Sequence, residues 1–205
     1  MRRVTFGLAL ATLVAAVSWL WLGWDSQAIL AWKREASPLL FFAALATLPA
    51  VGVPTTPFFL FAGTFGVRVA LVGTAIALVV NLSVCYWIAR SGLRPLLERW
   101  LKRFRYEFPD GIERGEGAIR FTLAVKVAPG VPSFVKNYVL GMVGVPFGTY
   151  LALSLLVTGA YAAALVVLGD SLLAHDFGGA GVAVALLLAL AGAAWWWQRR
   201  TRAQT

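Results

Sequence analysis

The stretch Phe121–Phe147 constrains the fold more than any other part of this 205-residue chain. It is mostly apolar, yet it carries Lys126, Lys136 and Asn137, and three prolines and three glycines interrupt it. A simple membrane helix does not carry this many breaks, and a soluble loop is not this apolar. Irregular backbone is tolerated at membrane depth only where protein or a wet cavity covers it. We therefore predict a helical hairpin that enters the membrane, turns at Pro129–Pro132 and leaves on the same side.

The overall composition is that of an integral membrane protein. Hydrophobic residues make up 60% of the chain and charged residues 13%, about half the charged fraction of a soluble domain. The net charge is +9, but the charges cluster between apolar runs and form no basic–aromatic module, so we expect no nucleic acid. With Cys85 and His175 each alone of its kind, we expect no disulfide framework, metal or cofactor. No nucleophile–base pair or phosphate-binding loop appears, which argues against an enzyme.

The apolar runs predict an all-α integral membrane protein with about four transmembrane helices and two re-entrant helical hairpins in an inverted repeat. Residues 1–37 form an N-terminal anchor helix and outer linker, 38–170 a central domain, and 171–205 a C-terminal transmembrane helix and basic tail. The central domain divides into a hairpin at 38–67, a span at 69–90, an amphipathic cytoplasmic linker at 91–120, a hairpin at 121–147 and a span at 148–168. A short outer loop is expected at 169–179.

The basic residues predict the orientation. Thirteen of the eighteen lie on one side of this topology and three on the other, with Lys126 and Lys136 inside the membrane. Because basic residues favour the cytoplasmic side, both termini should be cytoplasmic. The composition is typical of a bacterial inner-membrane protein. The helix at 94–108 in the linker is either a helix that lies on an anionic leaflet or an ordinary connector packed on the protein.

An internal repeat relates the two predicted hairpins. The pattern G-V-P-x8-G-x2-G-V begins at Gly52 and again at Gly130, 78 residues later. Hairpins that enter from opposite sides form an inverted repeat, and in transporters such repeats bring broken helices together around a substrate site. The residues expected to shape the hairpins are Pro49, Pro54, Pro57, Gly63, Gly66, Gly130, Gly141 and Gly144.

The polar residues of the second hairpin are the candidate binding site, because the first copy has Phe58 and Phe59 in place of Lys136 and Asn137. A membrane-buried cation is usually paired or functional, and the apolar segments offer no carboxylate. A lipid phosphate is the obvious anion, and the helix N-termini after the two repeat prolines would add N–H donors. The expected substrate-binding residues are Lys126, Lys136, Asn137, Pro129 and Pro132.

Other interpretations of these residues stay open. The two lysines could instead snorkel to the interface, and Asn137 could satisfy broken backbone. Arg90, Asp170 and Asn81 are candidates for coupling or gating, although Arg90 also fits a topology anchor and Asn81 an interhelical hydrogen bond.

Three motifs resemble the DedA/VTT superfamily, also called the SNARE-associated Golgi proteins. They are AGTFG at 62–66, YWIAR at 86–90 followed by Gly92, and KVAPGVPSFVKNYVLG at 126–141 followed by Phe147. The resemblance implies two membrane-embedded hairpins in inverted repeat and movement of phospholipids or polyprenyl-phosphate lipids between leaflets, coupled in bacteria to ion gradients. Lys126 stands where the family usually has arginine, and residues 38–67 lack the acidic residues of the DedA branch.

These observations together predict a lipid transporter or scramblase whose partners are membrane lipids with anionic headgroups. One alternative is a small-solute or ion-coupled transporter on the same scaffold. Another is a structural membrane protein that recruits partners through the 94–108 helix. Assembly into a homo-oligomer stays open.

Overall fold

The computed structural model describes residues 37–91, 95, 99, 115–128 and 131–202. The regular structure in these ranges is helical, and we number the α-helices in chain order. They are α1 Pro38–Thr47, α2 Thr55–Ala62, α3 Val67–Arg90, α4 Glu116–Val127, α5 Ser133–Met142, α6 Phe147–Ser154, α7 Ala160–Ala174 and α8 Phe177–Arg202. The predicted N-terminal anchor, most of the 94–108 helix, Pro129 and Gly130 lie outside the described residues.

Three helices in the described ranges are long and apolar enough to cross a membrane. They are Val67–Arg90 with 24 residues, Phe147–Ala174 with 28 residues and Phe177–Trp196 with 20 residues. About 20 apolar residues are needed to span the hydrocarbon core. The prediction of an all-helical membrane protein is therefore supported in this part of the chain.

The predicted outer loop at 169–179 is wrong in its extent. Helix α7 continues to Ala174 and α8 begins at Phe177, so the connection is His175–Asp176, with His175 in the left-handed conformation at φ 55°. Residues 169–172 stay helical because Gly169, Ser171 and Leu172 are packed in the protein interior. Tertiary packing here overrides the turn preference of the glycines and aspartates.

The first hairpin folds back on itself. Helix α1 is followed by a 3₁₀ turn at Leu48–Val51, a break at 52–54, α2 and a second 3₁₀ turn at Gly63–Phe65. The ring of Phe41, near the start of the segment, lies 5.7 Å from the ring of Phe58 and 5.2 Å from that of Phe65, near its end. The two ends of the segment therefore lie side by side.

The second hairpin has the same form. Helix α4 ends at Val127 and α5 begins at Ser133, and Ala128, Val131 and Pro132 between them belong to no helix, so we call this connection the break of the second hairpin. Ala118, near the start of α4, shares a buried cluster with Leu140 and Val145 at the far end of the segment. This segment is also folded back, with its break remote from its two ends.

The repeat is visible in the backbone. Pro54 and Pro132 directly precede α2 and α5 with nearly equal dihedral angles, φ −60° and ψ 132° against φ −57° and ψ 143°. Gly66 and Gly144 share a φ of 89°, which strongly favours glycine. The sequence repeat therefore corresponds to a repeated chain path.

The second helix of each hairpin packs on the helix that follows the other hairpin. Helix α2 of the first hairpin packs on α7, which follows the second hairpin, whereas α5 of the second hairpin packs on α3, which follows the first. Gly141 at the end of α5 meets Ala89 at the end of α3, so close that an added Cβ would lie 2.7 Å from the Ala89 Cβ. The first hairpin instead leads through Gly66 straight into the start of α3. The first hairpin therefore has its two ends near the start of α3, and the second hairpin has its two ends near the end of α3.

Three buried tyrosines connect the repeats through hydroxyl hydrogen bonds to main-chain carbonyls. Tyr138 donates to Ala50 at 2.8 Å, joining the second hairpin to the first. Tyr86 donates to Val145 at 2.9 Å, and Tyr150 donates to Leu82 at 3.0 Å. Each bond satisfies a polar group that would otherwise be costly to bury.

Candidate functional site

The breaks of the two hairpins face each other across a cavity of about 370 Å³, which we call the hairpin cavity. The Phe134 ring of the second hairpin lies 3.4 Å from where a Cβ on Gly52 of the first would stand, so the two breaks are in contact at one point. The walls come from both breaks, the middle of α3 and the segment before α7. The lining residues are Pro49, Gly52, Val53, Pro54, Thr55, Thr56, Leu78, Asn81, Leu82, Val131, Pro132, Ser133, Phe134, Asn137 and Thr158.

The hairpin cavity lies at mid-depth of the helical body. Leu78 is about 17 Å along the axis from the start of α3 and about 18 Å from its end, at 1.5 Å per residue. Val53, Pro54 and Thr56 on one hairpin and Pro132 and Ser133 on the other are exposed at the protein surface. The cavity therefore has a lateral mouth at mid-depth, between the two hairpin breaks.

Two helix N-termini form part of the cavity wall. Helices α2 and α5 begin beside Pro54 and Pro132, and neither has a side-chain cap. First-turn N–H groups have no partner within their own helix, and the helix dipole makes this end favourable for an anion. Pro57 removes one of these donors from α2, so α5 offers the fuller set.

The buried ammonium of Lys126 lies directly behind this wall. Lys126 is 8% exposed, and its Nζ donates a 2.6 Å hydrogen bond to Oδ1 of Asn137, which is 5% exposed and lines the cavity. The Tyr150 ring centroid is 5.7 Å from the same Nζ. Because lysine is only a donor, this bond fixes the orientation of the Asn137 amide, with Oδ1 toward the lysine.

Lys136 has a different position. It is half-buried, and its Nζ donates a 2.9 Å hydrogen bond to the main-chain carbonyl of Lys126. That carbonyl belongs to the last turn of α4, where carbonyls lack helical partners and favour a cation. The Lys136 side chain thus caps the C-terminal end of α4 from the other side of the break. Neither lysine is among the cavity-lining residues.

Neither lysine has a carboxylate partner in the described ranges. The ion pair found there joins Arg120 to Glu116 at 3.1 Å, on the exposed first turns of α4. Lys126 is buried among Asn137, Tyr150 and the end of α4 and does not extend to the surface. The positive charge beside the hairpin cavity is therefore not neutralised by this part of the chain.

The structure separates the three predicted coupling or gating residues. Asn81 lines the hairpin cavity and donates through Nδ2 to the Ala46 carbonyl at 3.0 Å, an interhelical bond between α1 and α3. Arg90 is exposed at the end of α3, 5.5 Å from the Tyr86 ring centroid. Asp170 is half-buried in α7, near Gly63. Arg90 and Asp170 lie outside the cavity wall.

Several residues in and near the cavity wall were missed from the sequence, including Tyr138, Tyr150 and Thr158. The two tyrosines had a readable signal, since a hydroxyl in an apolar run needs a partner. Thr158 lies in a π-helical turn at Leu155–Gly159 that joins α6 to α7. Such turns often occur at functional sites, but nothing in the local sequence predicts this one.

The fold and the site define a helical membrane protein built from two facing hairpins around a cavity whose wall is partly polar. The family model of the VTT domain matches residues 53–171, more than half of the chain and most of the cavity wall. No curated protein and no solved structure gives a significant match. The chain belongs to the VTT domain family, and the resemblance of its motifs to the DedA and SNARE-associated proteins is confirmed.

Proposed function

We propose that this protein moves phospholipids or polyprenyl-phosphate lipids between leaflets, with the lipid phosphate passing through the hairpin cavity. The observation that carries the proposal is the lateral mouth at mid-depth, formed by Val53, Pro54, Thr56, Pro132 and Ser133. A headgroup can occupy a cavity with such a mouth while its acyl chains stay outside in the hydrocarbon. A fully enclosed cavity would require the whole substrate to be small.

The chemistry of the wall supports a phosphate ligand. Because Oδ1 of Asn137 accepts the hydrogen bond from Lys126, the amide Nδ2 is the group of Asn137 that can donate to a further acceptor. The uncapped N-termini of α2 and α5 add main-chain N–H donors beside it. The ammonium of Lys126 supplies a positive charge one hydrogen bond away, so it favours an anion without touching it.

The membrane placement is part of the same proposal. Helix α1 has ten residues, about 15 Å or half of the hydrocarbon core, so we assign both hairpins as re-entrant and the repeat as inverted. Arg90, Arg120 and Arg199 lie at one end of the helical body, which we place in the cytoplasm of a bacterial inner membrane. Arg68, Asp170 and Asp176 then face the outside.

A second candidate is a small-solute or ion-coupled transporter. The volume of about 370 Å³ is within the range of small-ligand sites and holds a headgroup or a solute, not a whole lipid. Recruitment of partners through the 94–108 helix remains a hypothesis that falls mostly outside the described residues.

Leaflet exchange in reconstituted vesicles tests the proposal. The full chain is reconstituted with tail-labelled phospholipids of several headgroups, with and without an ion gradient, and label exposed on the outer leaflet is quenched chemically. Ser133→Phe, which fills the mouth, should slow exchange at least tenfold. Ala124→Phe, on an exposed site of α4 outside the cavity, should match the wild type.

Two outcomes would overturn this assignment. Equal exchange rates in the two phenylalanine variants would show that lipid does not use the mouth. Absence of leaflet exchange in the wild type, together with a solute or ion flux that Ser133→Phe blocks, would select the small-solute transporter instead.

A further inference from the structure

A second cavity, which we call the Arg68 groove, lies on the protein surface between α1 and α3 of the first repeat. Its volume is about 890 Å³, more than twice that of the hairpin cavity. It is lined by Pro38, Leu39, Phe42, Ala43, Ala46 and Thr47 from α1 and by Arg68, Val69, Val72, Gly73, Ile76, Ala77 and Val80 from α3. The two helices run in the same direction, since Ala46 near the end of α1 bonds to Asn81 far along α3.

The groove is apolar along its length and charged at one end. Thr47 is the one polar lining residue besides Arg68, and its hydroxyl donates to the Ala43 carbonyl at 2.9 Å. Leu39, Val69, Val72 and Ile76 are all more than half exposed. Gly73 and the Phe42 ring form the floor of the groove. They are so close that a Cβ added at Gly73 would lie 2.6 Å from the ring.

The length of the groove matches one leaflet. From Arg68 to Val80 the helix rises about 18 Å, and half of the hydrocarbon core is about 15 Å. The guanidinium therefore lies at the headgroup level when the groove extends inward to the middle of the membrane. An acyl chain lying in the groove would have its phosphate beside Arg68.

Arg68 is exposed on the first turn of α3, and no described side chain forms an ion pair with it. A guanidinium is well suited to bind a phosphate through two hydrogen bonds. We propose that the Arg68 groove binds one anionic phospholipid of the adjacent leaflet, with an acyl chain between α1 and α3 and its phosphate on Arg68. The Asn81–Ala46 hydrogen bond lies between this groove and the hairpin cavity, so the lipid here is a bound lipid and not the cargo of the hairpin cavity.

Spin-labelled lipids test this site with two matched pairs of variants. The full chain is reconstituted in bilayers, and electron paramagnetic resonance measures the immobilised fraction of labelled phosphatidylglycerol and of labelled phosphatidylcholine. Arg68→Gln should reduce the preference for phosphatidylglycerol about fivefold, the equivalent of about 1 kcal/mol. Arg90→Gln removes the same charge at the other end of α3 and should leave this preference unchanged.

The second pair tests the groove itself. Ala43→Phe fills it from an exposed position, and Ala75→Phe adds the same ring to an exposed site of α3 outside it. Ala43→Phe should lower the immobilised fraction of both lipids, whereas Ala75→Phe should not. The proposal fails if the two arginine variants behave alike, or if Ala43→Phe leaves the immobilised fraction unchanged. A dimer that Ala43→Phe dissociates, with no headgroup preference, would assign the groove to a second copy of the chain.

Discussion

The hydrogen bond between Lys126 and Asn137 gives the sharpest quantitative prediction. The Nζ–Oδ1 distance is 2.6 Å, and the two residues are 8% and 5% exposed. Asn137→Leu leaves the buried ammonium without its acceptor and should lower the free energy of unfolding by about 2–3 kcal/mol. Lys126→Met leaves Oδ1 of the Asn137 side chain unsatisfied and should lower the free energy of unfolding by about 1–2 kcal/mol.

The double variant distinguishes coupling from two independent losses. With both polar groups replaced by apolar ones of similar size, most of the desolvation penalty disappears. We therefore expect a coupling free energy of about 2 kcal/mol, above the average of about 0.6 kcal/mol for hydrogen bonds in membrane helices, because the donor is charged. Unfolding in mixed detergent micelles containing dodecyl sulfate, followed by tryptophan fluorescence, measures all four proteins.

The exposed ion pair of Arg120 and Glu116 supplies a matched control. Its side chains are 73% and 85% exposed, so the same cycle with Arg120→Met and Glu116→Leu should give a coupling of about 0.3–0.5 kcal/mol. A coupling between Lys126 and Asn137 no larger than this control would refute the reasoning. It would mean that the ammonium finds other partners when Asn137 is lost.

Three further substitutions test the packing and hydrogen bonding of the helices. Gly63→Ala places a Cβ against the Val166 carbonyl oxygen and should destabilise by about 1–3 kcal/mol, whereas Gly148→Ala in α6 meets no atom within 4 Å and should be neutral or slightly stabilising. Equal unfolding midpoints for the two variants would contradict the close contact of α2 with α7. Tyr150→Phe removes the hydrogen bond to the Leu82 carbonyl and should cost about 1–2 kcal/mol, yet the Lys126–Asn137 coupling should persist because the ring remains. A midpoint equal to that of the wild type would show that the carbonyl finds another donor.

The spans could be predicted because length and apolarity decide them almost alone. The expected span at 69–90 corresponds to α3 at Val67–Arg90, and the chain breaks fall at Pro54 and Pro132 as the repeat indicated. The connection between the last two spans was less predictable. A Gly-rich, Asp-containing stretch has a local preference for a loop, but Gly169 and Leu172 are buried, and burial kept this stretch helical.

The site was predictable in its residue types and not in its contacts. The two charged groups and one amide in an apolar stretch singled out Lys126, Lys136 and Asn137, because polar groups are costly in a membrane. The sequence could not show that Lys126 binds Asn137 while Lys136 binds the Lys126 carbonyl. Both partners lie across the break, and their pairing depends on how α4 and α5 fold back.

The sequence by itself determined the class of protein, the spans and the repeat, because hydrophobic length, charge and proline act locally along the chain. Only the tertiary structure decided that Lys126 lies behind the cavity wall, that Asn137 faces the cavity, and that Arg68 stands at the end of an apolar groove. These features arise where α2 packs on α7, α5 on α3 and α1 beside α3. Contacts between segments distant in sequence depend on the folded geometry, which no local pattern encodes.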